Sequence, residues 1–309
     1  MTIEILQTHK LLASCEEGLA SQFTVHKLHE AADRDAFLAG LRDRVRGIAG
    51  GHVGPELMDR LPKLEIISNF GVGYDSVDTA AAKARNIRVT NTPNVLNDAV
   101  AELTIGLMIA LARRIPQADQ HVRQGKWLKA GFPLLTELNG KTLGILGLGR
   151  IGKEIATRAQ AMRMRVVYHG RRRQSDEPYI YYDNLTDMAR DCDWLVLIAP
   201  GGKGTDGIVS REVLAALGPE GYLVNIARGT LVDEAALVEM LAAGQLGGAA
   251  LDVFEKEPQV PEALFALDNV VLSPHQGSAT HQTRNKMGKM VVDNLALHFA
   301  GEPLLSPVV

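Results

Sequence analysis

The sequence contains few cysteines, no long apolar run and no excess of charge of one sign. Two cysteines in 309 residues, Cys15 and Cys192, exclude a disulfide framework and favour a reducing compartment, which we expect to be the cytoplasm. The N-terminal residues lack the basic and apolar regions of a secretory signal. The most apolar stretch, residues 103–112, is too short to cross a bilayer.

The balance of charge and the scatter of polar residues exclude further classes of function. Basic side chains number 33 and acidic ones 36, so we expect no nucleic-acid or membrane partner. Histidines, cysteines and carboxylates nowhere recur at the spacing of a metal site, so we expect no metal. Cys192 has no activating partner nearby in the sequence, and we interpret it as a small buried hydrophobic residue rather than a nucleophile.

Short apolar runs alternate with longer amphipathic stretches, which is typical of parallel βαβ units in an α/β protein. The clearest predicted strands are residues 142–146, 165–169, 194–199, 222–226, 248–254 and 270–273. Helices are predicted between them at residues 153–164, 211–217 and 234–243. Because these strands are almost continuously apolar, we expect a doubly wound sheet with helices on both faces.

The first ninety or so residues follow the same alternation less regularly and predict a second, smaller α/β domain. Its predicted strands are residues 3–6, 23–26, 45–48, 64–69 and 87–90. A helix over residues 99–114 opens the larger domain, and a helix over residues 281–300 is predicted to return to the smaller one. We therefore expect one domain from residues 1–95 and 281–309 and another from residues 96–280. Hinges near Pro93 and Ala279 would let them close over a ligand in a cleft.

The most informative motif is Gly147-x-Gly149-x-x-Gly152, which follows a predicted strand and opens a helix. Gly147 permits a tight turn, Gly149 lets a pyrophosphate approach the backbone, and Gly152 allows close packing of helix on strand. The intervening Leu148, Arg150 and Ile151 belong to the same cofactor-binding loop, whose free N–H groups attract phosphate. The alternative is a turn with a purely structural role.

The end of the next predicted strand indicates which dinucleotide binds. An NAD-preferring protein places an acid roughly 20 residues beyond the glycines. Here Gly170 lies 18 residues after Gly152 and is followed by Arg171, Arg172 and Arg173. Because no carboxylate stands at this position, a 2′-phosphate would not be repelled, and a guanidinium could bind it. NADP(H) is therefore the preferred cofactor and NAD(H) a possible one. The alternative is a solvated basic turn.

Later strands also end in polar or small residues, and ligands of an open parallel sheet bind at the carboxyl ends of its strands. One predicted strand ends at Ile226, and the loops after the strands contain Pro200, Ala227 and Gly277. The residues predicted to line the edge are Arg228, Asp252, Glu257 and His275. Each has an ordinary alternative: Arg228 could cap a strand, Glu257 could be a solvated acid, and His275 could be one of nine unremarkable histidines. Their shared position at one edge favours a functional site.

With these residues in place, the chain resembles the D-isomer-specific 2-hydroxyacid dehydrogenase family over nearly its whole length. The resemblance rests on an ordered set of segments: residues 69–73, Asn91–Thr92–Pro93, residues 100–103, the glycine loop, residues 224–229, residues 251–258 and Pro274–His275. Gly170 and Arg171 make the chain most similar to the NADPH-dependent glyoxylate/hydroxypyruvate reductases. The resemblance implies a Rossmann nucleotide-binding domain, a smaller flavodoxin-like substrate domain and a homodimer.

The resemblance also implies roles for the matched residues. Arg228 would bind the substrate carboxylate, His275 would be the acid/base, and Glu257 would be its partner. The backbone of Val72 and Gly73 would bind the same carboxylate, while Asp252 and the backbone of residues 226–228 would hold the nicotinamide end of the cofactor. His275, Gln276, Gly277 and Ser278 would close over that ring.

The implied reaction independently requires such groups. Reducing a 2-oxo acid places a hydride on the carbonyl carbon while negative charge grows on the oxygen, so a cation must face that oxygen. Histidine can then exchange the proton near neutral pH, oriented by a carboxylate on its other nitrogen. The expected activity is reduction of hydroxypyruvate and glyoxylate to D-2-hydroxy acids.

Two alternatives to that activity stay open from the sequence. One is a phosphoglycerate- or lactate-type dehydrogenase on the same scaffold, and the other is a non-catalytic NAD(P)-sensing regulator. Formate dehydrogenase fits less well, because its histidine is partnered by glutamine and the matching residue here is Glu257.

Overall fold

The computed structural model describes residues 2–309, and the contacts of the chain divide it into two units. The first unit comprises the residues up to Leu96 together with Ser278–Val309, and the second is Asn97–Gly277. The chain therefore passes from the first unit to the second and back. The unit boundaries lie at Leu96 and Gly277, against predicted domain ends at residues 95 and 280.

Each unit contains one fully parallel sheet. The first consists of β1 (Glu4–Gln7), β2 (Thr24–Lys27), β3 (Val45–Ala49), β4 (Ile66–Ser68) and β5 (Arg88–Thr90), in the order β2-β1-β3-β4-β5. The second consists of β6 (Thr142–Leu146), β7 (Arg165–His169), β8 (Ile180–Tyr182), β9 (Trp194–Leu197), β10 (Tyr222–Asn225), β11 (Gly248–Leu251) and β12 (Val270–Leu272). Its order, β12-β11-β10-β9-β6-β7-β8, reverses direction between β6 and β9. The α/β, doubly wound prediction is confirmed.

Eleven α-helices connect these strands in the described part of the chain. They are α1 (Ala13–Ala20), α2 (Arg34–Leu41), α3 (Pro55–Arg60), α4 (Thr79–Ala84), α5 (Asn97–Ala112), α6 (Ile115–Arg123), α7 (Arg150–Ala161), α8 (Leu185–Asp191), α9 (Arg211–Leu217), α10 (Glu234–Ala242) and α11 (His281–Ala300). Side chains of Asp33, Asn184 and Thr280 cap α2, α8 and α11, because each accepts a hydrogen bond from a first-turn N–H. No helix between residues 2 and 309 is both long and apolar enough to span a membrane.

Apolar burial on both faces explains why the second sheet is so uniformly hydrophobic. Every residue of β9 and of β11 is buried. The core beneath them joins Leu195 and Leu223 of the sheet to Leu214 and Leu237 of the covering helices. Each of these side chains is less than 2% exposed, and full burial of a leucine contributes on the order of 2 kcal/mol.

The last helix, α11, packs in the first unit although it follows the second in sequence. Val291 and Leu295 of α11 share a core cluster with Ile5 of β1 and Leu19 of α1. A Cβ at Gly288 would lie 2.7 Å from the Cβ of Cys15, so glycine allows α1 and α11 to approach closely at this point.

The predicted boundaries fail mainly where strands lead into loops. β11 stops at Leu251, although the apolar pattern predicted a strand through residue 254. The chain turns there because the Asp252 side chain bonds to a neighbouring loop. Helix α7 begins at Arg150 rather than at residue 153, directly after the second glycine of the loop. The three-residue edge strand β8 was not predicted, since so short a run carries little periodicity.

We predict that neither cysteine reacts with a thiol reagent in the native protein. Cys15 and Cys192 are 2% and 7% exposed. Burial raises the pKa of the Cys15 thiol to about 11 and that of the Cys192 thiol to about 12, so the reactive thiolate is scarce at pH 8. Titration with a chromogenic disulfide should detect no thiol in native protein and two after unfolding. Rapid modification of native protein would contradict this.

Candidate active site

The carboxyl edge of the second sheet collects nearly all of the predicted site residues. The loops after β6, β7, β9, β10, β11 and β12 contain, in turn, the glycine motif, Gly170–Arg173, Pro200, Arg228, Glu257 and His275. Because all seven strands are parallel, these loops lie along one edge. The edge includes the point between β6 and β9 at which the strand order reverses, where open α/β sheets bind ligands.

The glycine loop has the geometry of a phosphate cradle. Gly147 has a φ of +103°, and a Cβ there would lie 2.8 Å from the backbone nitrogen of Ala199. A Cβ on Gly152 would lie 2.4 Å from the Gly147 carbonyl oxygen. Around Gly149, by contrast, no protein atom lies within 4 Å of the Cβ position. Packing therefore requires two of the glycines, while the third keeps open space before the N-terminus of α7.

Donors for an anion are available at that N-terminus. Gly149 is the N-cap of α7 and carries no side chain to bond the first-turn N–H groups. The N–H groups of the first turn have no acceptor within the helix, and the helix dipole adds partial positive charge at this end. The open space at Gly149 and these donors fit the diphosphate of a dinucleotide.

The segment after β7 presents unpaired positive charge. Arg171, Arg172 and Arg173 are exposed, and none of them forms a salt bridge within residues 2–309. The segment is tied to the glycine loop, because the Gln174 side chain donates a 2.7 Å hydrogen bond to the Leu148 carbonyl. A Cβ at Gly170 would meet no atom within 4 Å, so the absence of an acid there is not imposed by packing.

The buried side chain of Asn225, at the end of β10, shapes the turn that carries Arg228. Its Nδ2 donates to the Arg228 carbonyl at 2.8 Å and its Oδ1 accepts from the Ala227 N–H at 3.1 Å. A Cβ on Gly229 would lie 1.9 Å from the Phe254 carbonyl carbon, so this turn lies directly against the loop after β11. The half-buried Arg228 side chain packs on Gly201, whose Cβ would lie 2.8 Å from its Cγ.

His275 and Glu257 form a direct pair. His275 Nδ1 lies 2.7 Å from Glu257 Oε2, and Glu257 Oε1 accepts a 3.1 Å hydrogen bond from the Phe254 N–H. Both side chains are exposed, and an exposed ion pair contributes little to folding. The contact instead orients the imidazole and leaves Nε2 as the nitrogen available to a ligand.

A buried carboxylate holds the turn on which His275 sits. Asp252 is 1% exposed. Its Oδ1 accepts from the Ser273 hydroxyl at 2.6 Å and the Gln276 N–H at 2.7 Å, and its Oδ2 accepts from the Gly277 N–H at 2.8 Å. The His275 N–H donates to the Asp252 carbonyl at 2.8 Å. These bonds support the left-handed conformation of His275, whose φ is +52°. The cofactor contact expected of Asp252 stays a prediction.

The first unit contains a second set of backbone donors at the carboxyl end of β4. Asn69 Nδ2 donates to the Gly73 carbonyl at 2.9 Å, and Asn91 Nδ2 donates to the Val72 carbonyl at 2.9 Å. Within the described chain, the N–H groups of Val72 and Gly73 have no acceptor. The two asparagine side chains thus hold a loop whose N–H groups remain available to an anion.

Sequence reasoning missed Asn225, Asn69 and Asn91, whose side chains bond to loop backbone. Their only indication in the sequence was an amide at or just beyond the end of an apolar strand. Among residues 2–309, no three His, Cys, Asp or Glu side chains are grouped to hold a metal ion. Cys192 is buried against Gly144 of β6, whose Cβ would lie 2.9 Å from its sulfur.

A parallel sheet with this strand order and this glycine loop is the arrangement with which doubly wound proteins bind a dinucleotide. Residues 105–277 match the family described as D-isomer specific 2-hydroxyacid dehydrogenase, NAD binding domain. The chain is 45% identical to glyoxylate/hydroxypyruvate reductase A of Arabidopsis thaliana, with 100% of this chain and 99% of the relative covered. It is 46% identical to hydroxyphenylpyruvate reductase of Plectranthus scutellarioides, with 99% of each covered.

A solved structure resembles the whole chain. The NADPH-dependent glyoxylate/hydroxypyruvate reductase of Sinorhizobium meliloti, in complex with NADP and malonate, aligns with a TM-score of 0.96 and 46% identity. The alignment covers 100% of this chain and 97% of that one. The chain belongs to the D-isomer specific 2-hydroxyacid dehydrogenase family, as its sequence motifs predicted.

We predict that Asp252→Asn destabilises the protein and reduces its activity. An amide offers one acceptor oxygen where the carboxylate serves three donors, and its NH₂ would face an N–H or hydroxyl donor. We expect a loss of about 2–4 kcal/mol in the free energy of unfolding, measured by denaturant titration, and at least a tenfold loss of turnover. Ser273→Ala removes one of the three bonds and should cost about 1 kcal/mol. Equal stability of Asp252→Asn and wild type would contradict the role of Asp252.

Proposed function

We propose that the chain is an NADPH-dependent reductase that converts small 2-oxo acids, hydroxypyruvate and glyoxylate, to D-2-hydroxy acids. The observation that carries the proposal is the His275–Glu257 pair, 2.7 Å apart, on the same sheet edge as the glycine loop. The names of relatives from plants and archaea, which include several glyoxylate reductases, support the same substrate class.

The cofactor would be held along the edge of the second sheet. Gly147, Gly149 and Gly152, with the backbone of Leu148, Arg150 and Ile151, would bind the diphosphate, and Pro200, Ile226, Ala227, Asp252 and Gly277 would line the remaining contacts. When bound, a reduced nicotinamide supplies the hydride that reduces a carbonyl carbon.

Preference for NADPH would come from the segment after β7. The exposed guanidinium groups of Arg171, Arg172 and Arg173 form no salt bridge within the described chain. A guanidinium can bind a 2′-phosphate through bidentate hydrogen bonds. Gly170 occupies the position at which an acidic side chain would repel the 2′-phosphate. The S. meliloti relative carries NADP in its complex, which supports the same preference.

The substrate carboxylate would be recognised by cationic and backbone donors. Arg228 would bind it through the guanidinium, which also stabilises the charge that grows on the carbonyl oxygen during reduction. The N–H groups of Val72 and Gly73 lack acceptors and would add two hydrogen bonds.

His275 would complete the reaction by donating its Nε2 proton to the nascent alkoxide. Glu257 lies 2.7 Å from Nδ1 and would orient the ring by accepting from that nitrogen, which would leave the Nε2 proton for transfer to the substrate. The product is the 2-hydroxy acid, with one hydride and one proton added across the carbonyl bond.

We also propose that the enzyme is a cytoplasmic homodimer. Three apolar side chains after α6 are strongly exposed: Trp127 at 68%, Leu128 at 93% and Leu134 at 101%. Exposed apolar groups clustered along one segment are typical of protein contact surfaces. Two buried, unbridged cysteines suit a reducing compartment.

The assay that tests the proposal mixes purified protein with NADPH and a panel of 2-oxo acids and follows absorbance at the nicotinamide band. Hydroxypyruvate and glyoxylate should consume the cofactor. His275→Asn should abolish turnover while NADPH still binds, as measured by its fluorescence. Absence of turnover with every acid would refute the proposal, and a preference for pyruvate or phosphohydroxypyruvate would favour a lactate- or phosphoglycerate-type enzyme.

His26→Asn provides a matched control for the histidine variant. His26 also lies 2.7 Å from a glutamate, Glu4, but on β2 of the first unit, and it is not among the residues proposed to bind substrate or cofactor. We expect nearly unchanged turnover, because this pair has no part in the proposed chemistry. Equal losses in both variants would mean that removing a His–Glu contact acts through stability.

Arg171→Asp should reverse the cofactor preference. The substitution replaces a candidate phosphate ligand by a repelling charge, so we expect kcat/KM for NADPH to fall about ten- to a hundredfold relative to that for NADH. Arg34→Asp, which makes the same charge change in the first turn of α2, should leave the ratio unaltered. A ratio unchanged by Arg171→Asp would assign NADPH preference to other residues.

A further inference from the structure

The first unit contains a cation that the catalytic scheme leaves unused. Arg284 lies in the first turns of α11, half-buried, with its guanidinium carbon 5.5 Å from the centre of the Phe70 ring. Within residues 2–309 its side chain has no carboxylate partner and no hydrogen bond. The position is unfavourable for a cation, because the N-terminal end of a helix carries partial positive charge. Partial burial removes water without supplying a counterion.

The titratable groups around Arg284 are histidines rather than carboxylates. His9 follows β1 and His52 follows β3, with ring centres 6.5 Å apart. Burial, and then the charges of His52, His29 and Arg284, lower the pKa of His9. The lowered pKa favours the neutral form of His9, and no acidic group contributes to the shift. Arg284 is the permanent cation of this cluster, and an anion or a hydroxyl would have no competing carboxylate there.

Phe70 connects this cation to the loop with free donors. The ring on which the guanidinium rests directly precedes residues 71–73, where the Val72 and Gly73 N–H groups lack acceptors. The loop follows β4, and Arg284 contacts the ring that precedes it, so both sets of donors lie in one unit. A ligand carboxylate bound by the two N–H groups would thus have a separate guanidinium beside it.

We propose that Arg284 is a specificity-determining residue that binds a hydroxyl or anionic group on the third carbon of the substrate. The proposal rests on the proposed function, because it assumes that Val72 and Gly73 bind the substrate carboxylate. Hydroxypyruvate has a hydroxyl on that carbon and glyoxylate has no third carbon. The enzyme should therefore use Arg284 for the first substrate and not for the second, and should favour 2-oxo acids with a polar or charged C3 group.

Steady-state kinetics of Arg284→Met with both substrates test the proposal. A hydrogen bond to a charged group is worth about tenfold or more in transition-state binding, so kcat/KM for hydroxypyruvate should fall at least tenfold while that for glyoxylate changes less than twofold. Arg284→Lys keeps the charge and should recover part of the loss. Lys286→Met, an exposed cation of the same helix, is the matched control and should change neither substrate.

Inhibition by small acids gives a second measurement, with glyoxylate as the substrate. Malonate carries a second carboxylate where propionate has a methyl group, so wild type should bind malonate at least about tenfold more tightly and Arg284→Met should not distinguish them. Arg284→Gln, which keeps a polar side chain but removes the charge, supplies the same comparison if the methionine variant does not fold.

Equal losses for hydroxypyruvate and glyoxylate, or retained discrimination between malonate and propionate, would overturn the role of Arg284 and assign it to loop structure. Wild-type turnover of both acids would leave the proposed function intact in that event. Failure of the wild type to reduce either acid would instead refute the proposed function.

Discussion

The arrangement of the candidate site depends on one buried carboxylate, that of Asp252. An unpaired charge at 1% exposure would be costly, and three hydrogen bonds from the turn after β12 satisfy it. Those same bonds hold His275 at a φ of +52°, a backbone conformation that is uncommon for residues other than glycine. The Glu257 contact then sets the orientation of the ring. The His275–Glu257 pair thus stays ordered on an exposed edge, where ion pairing alone would be too weak.

Glycines determine how closely the loops of that edge approach one another. At Gly147 and Gly229 a side chain would collide with backbone, at Ala199 and Phe254 respectively. At both positions, two loops that are distant in sequence approach each other through backbone rather than through side chains. Gly149 differs, because only open space surrounds its Cβ position. A glycine that packing does not require is the feature expected where a ligand, rather than the protein, approaches the backbone.

Prediction from the sequence succeeded where periodicity was strong and failed where tertiary contacts end an element. β6, β7, α9 and α11 have the bounds that their apolar patterns predicted. β11 was predicted three residues too long, since Val253 and Phe254 are buried and apolar but lie in a loop that follows Asp252. Periodicity reports burial, and a buried loop gives the same pattern as a strand. β8 escaped prediction because three residues at a sheet edge show no period.

The sequence by itself determined the fold class, the glycine loop and the candidate residues Arg228, Glu257 and His275, because parallel strands bring their carboxyl ends to one edge whatever lies between them. Only the tertiary structure revealed which groups support that site. The bonds from Asn225, Asn69 and Asp252 to loop backbone depend on local geometry and leave no spacing to recognise. The lack of a carboxylate partner for Arg284 could not be predicted from the sequence either, because it depends on which side chains surround the guanidinium in space.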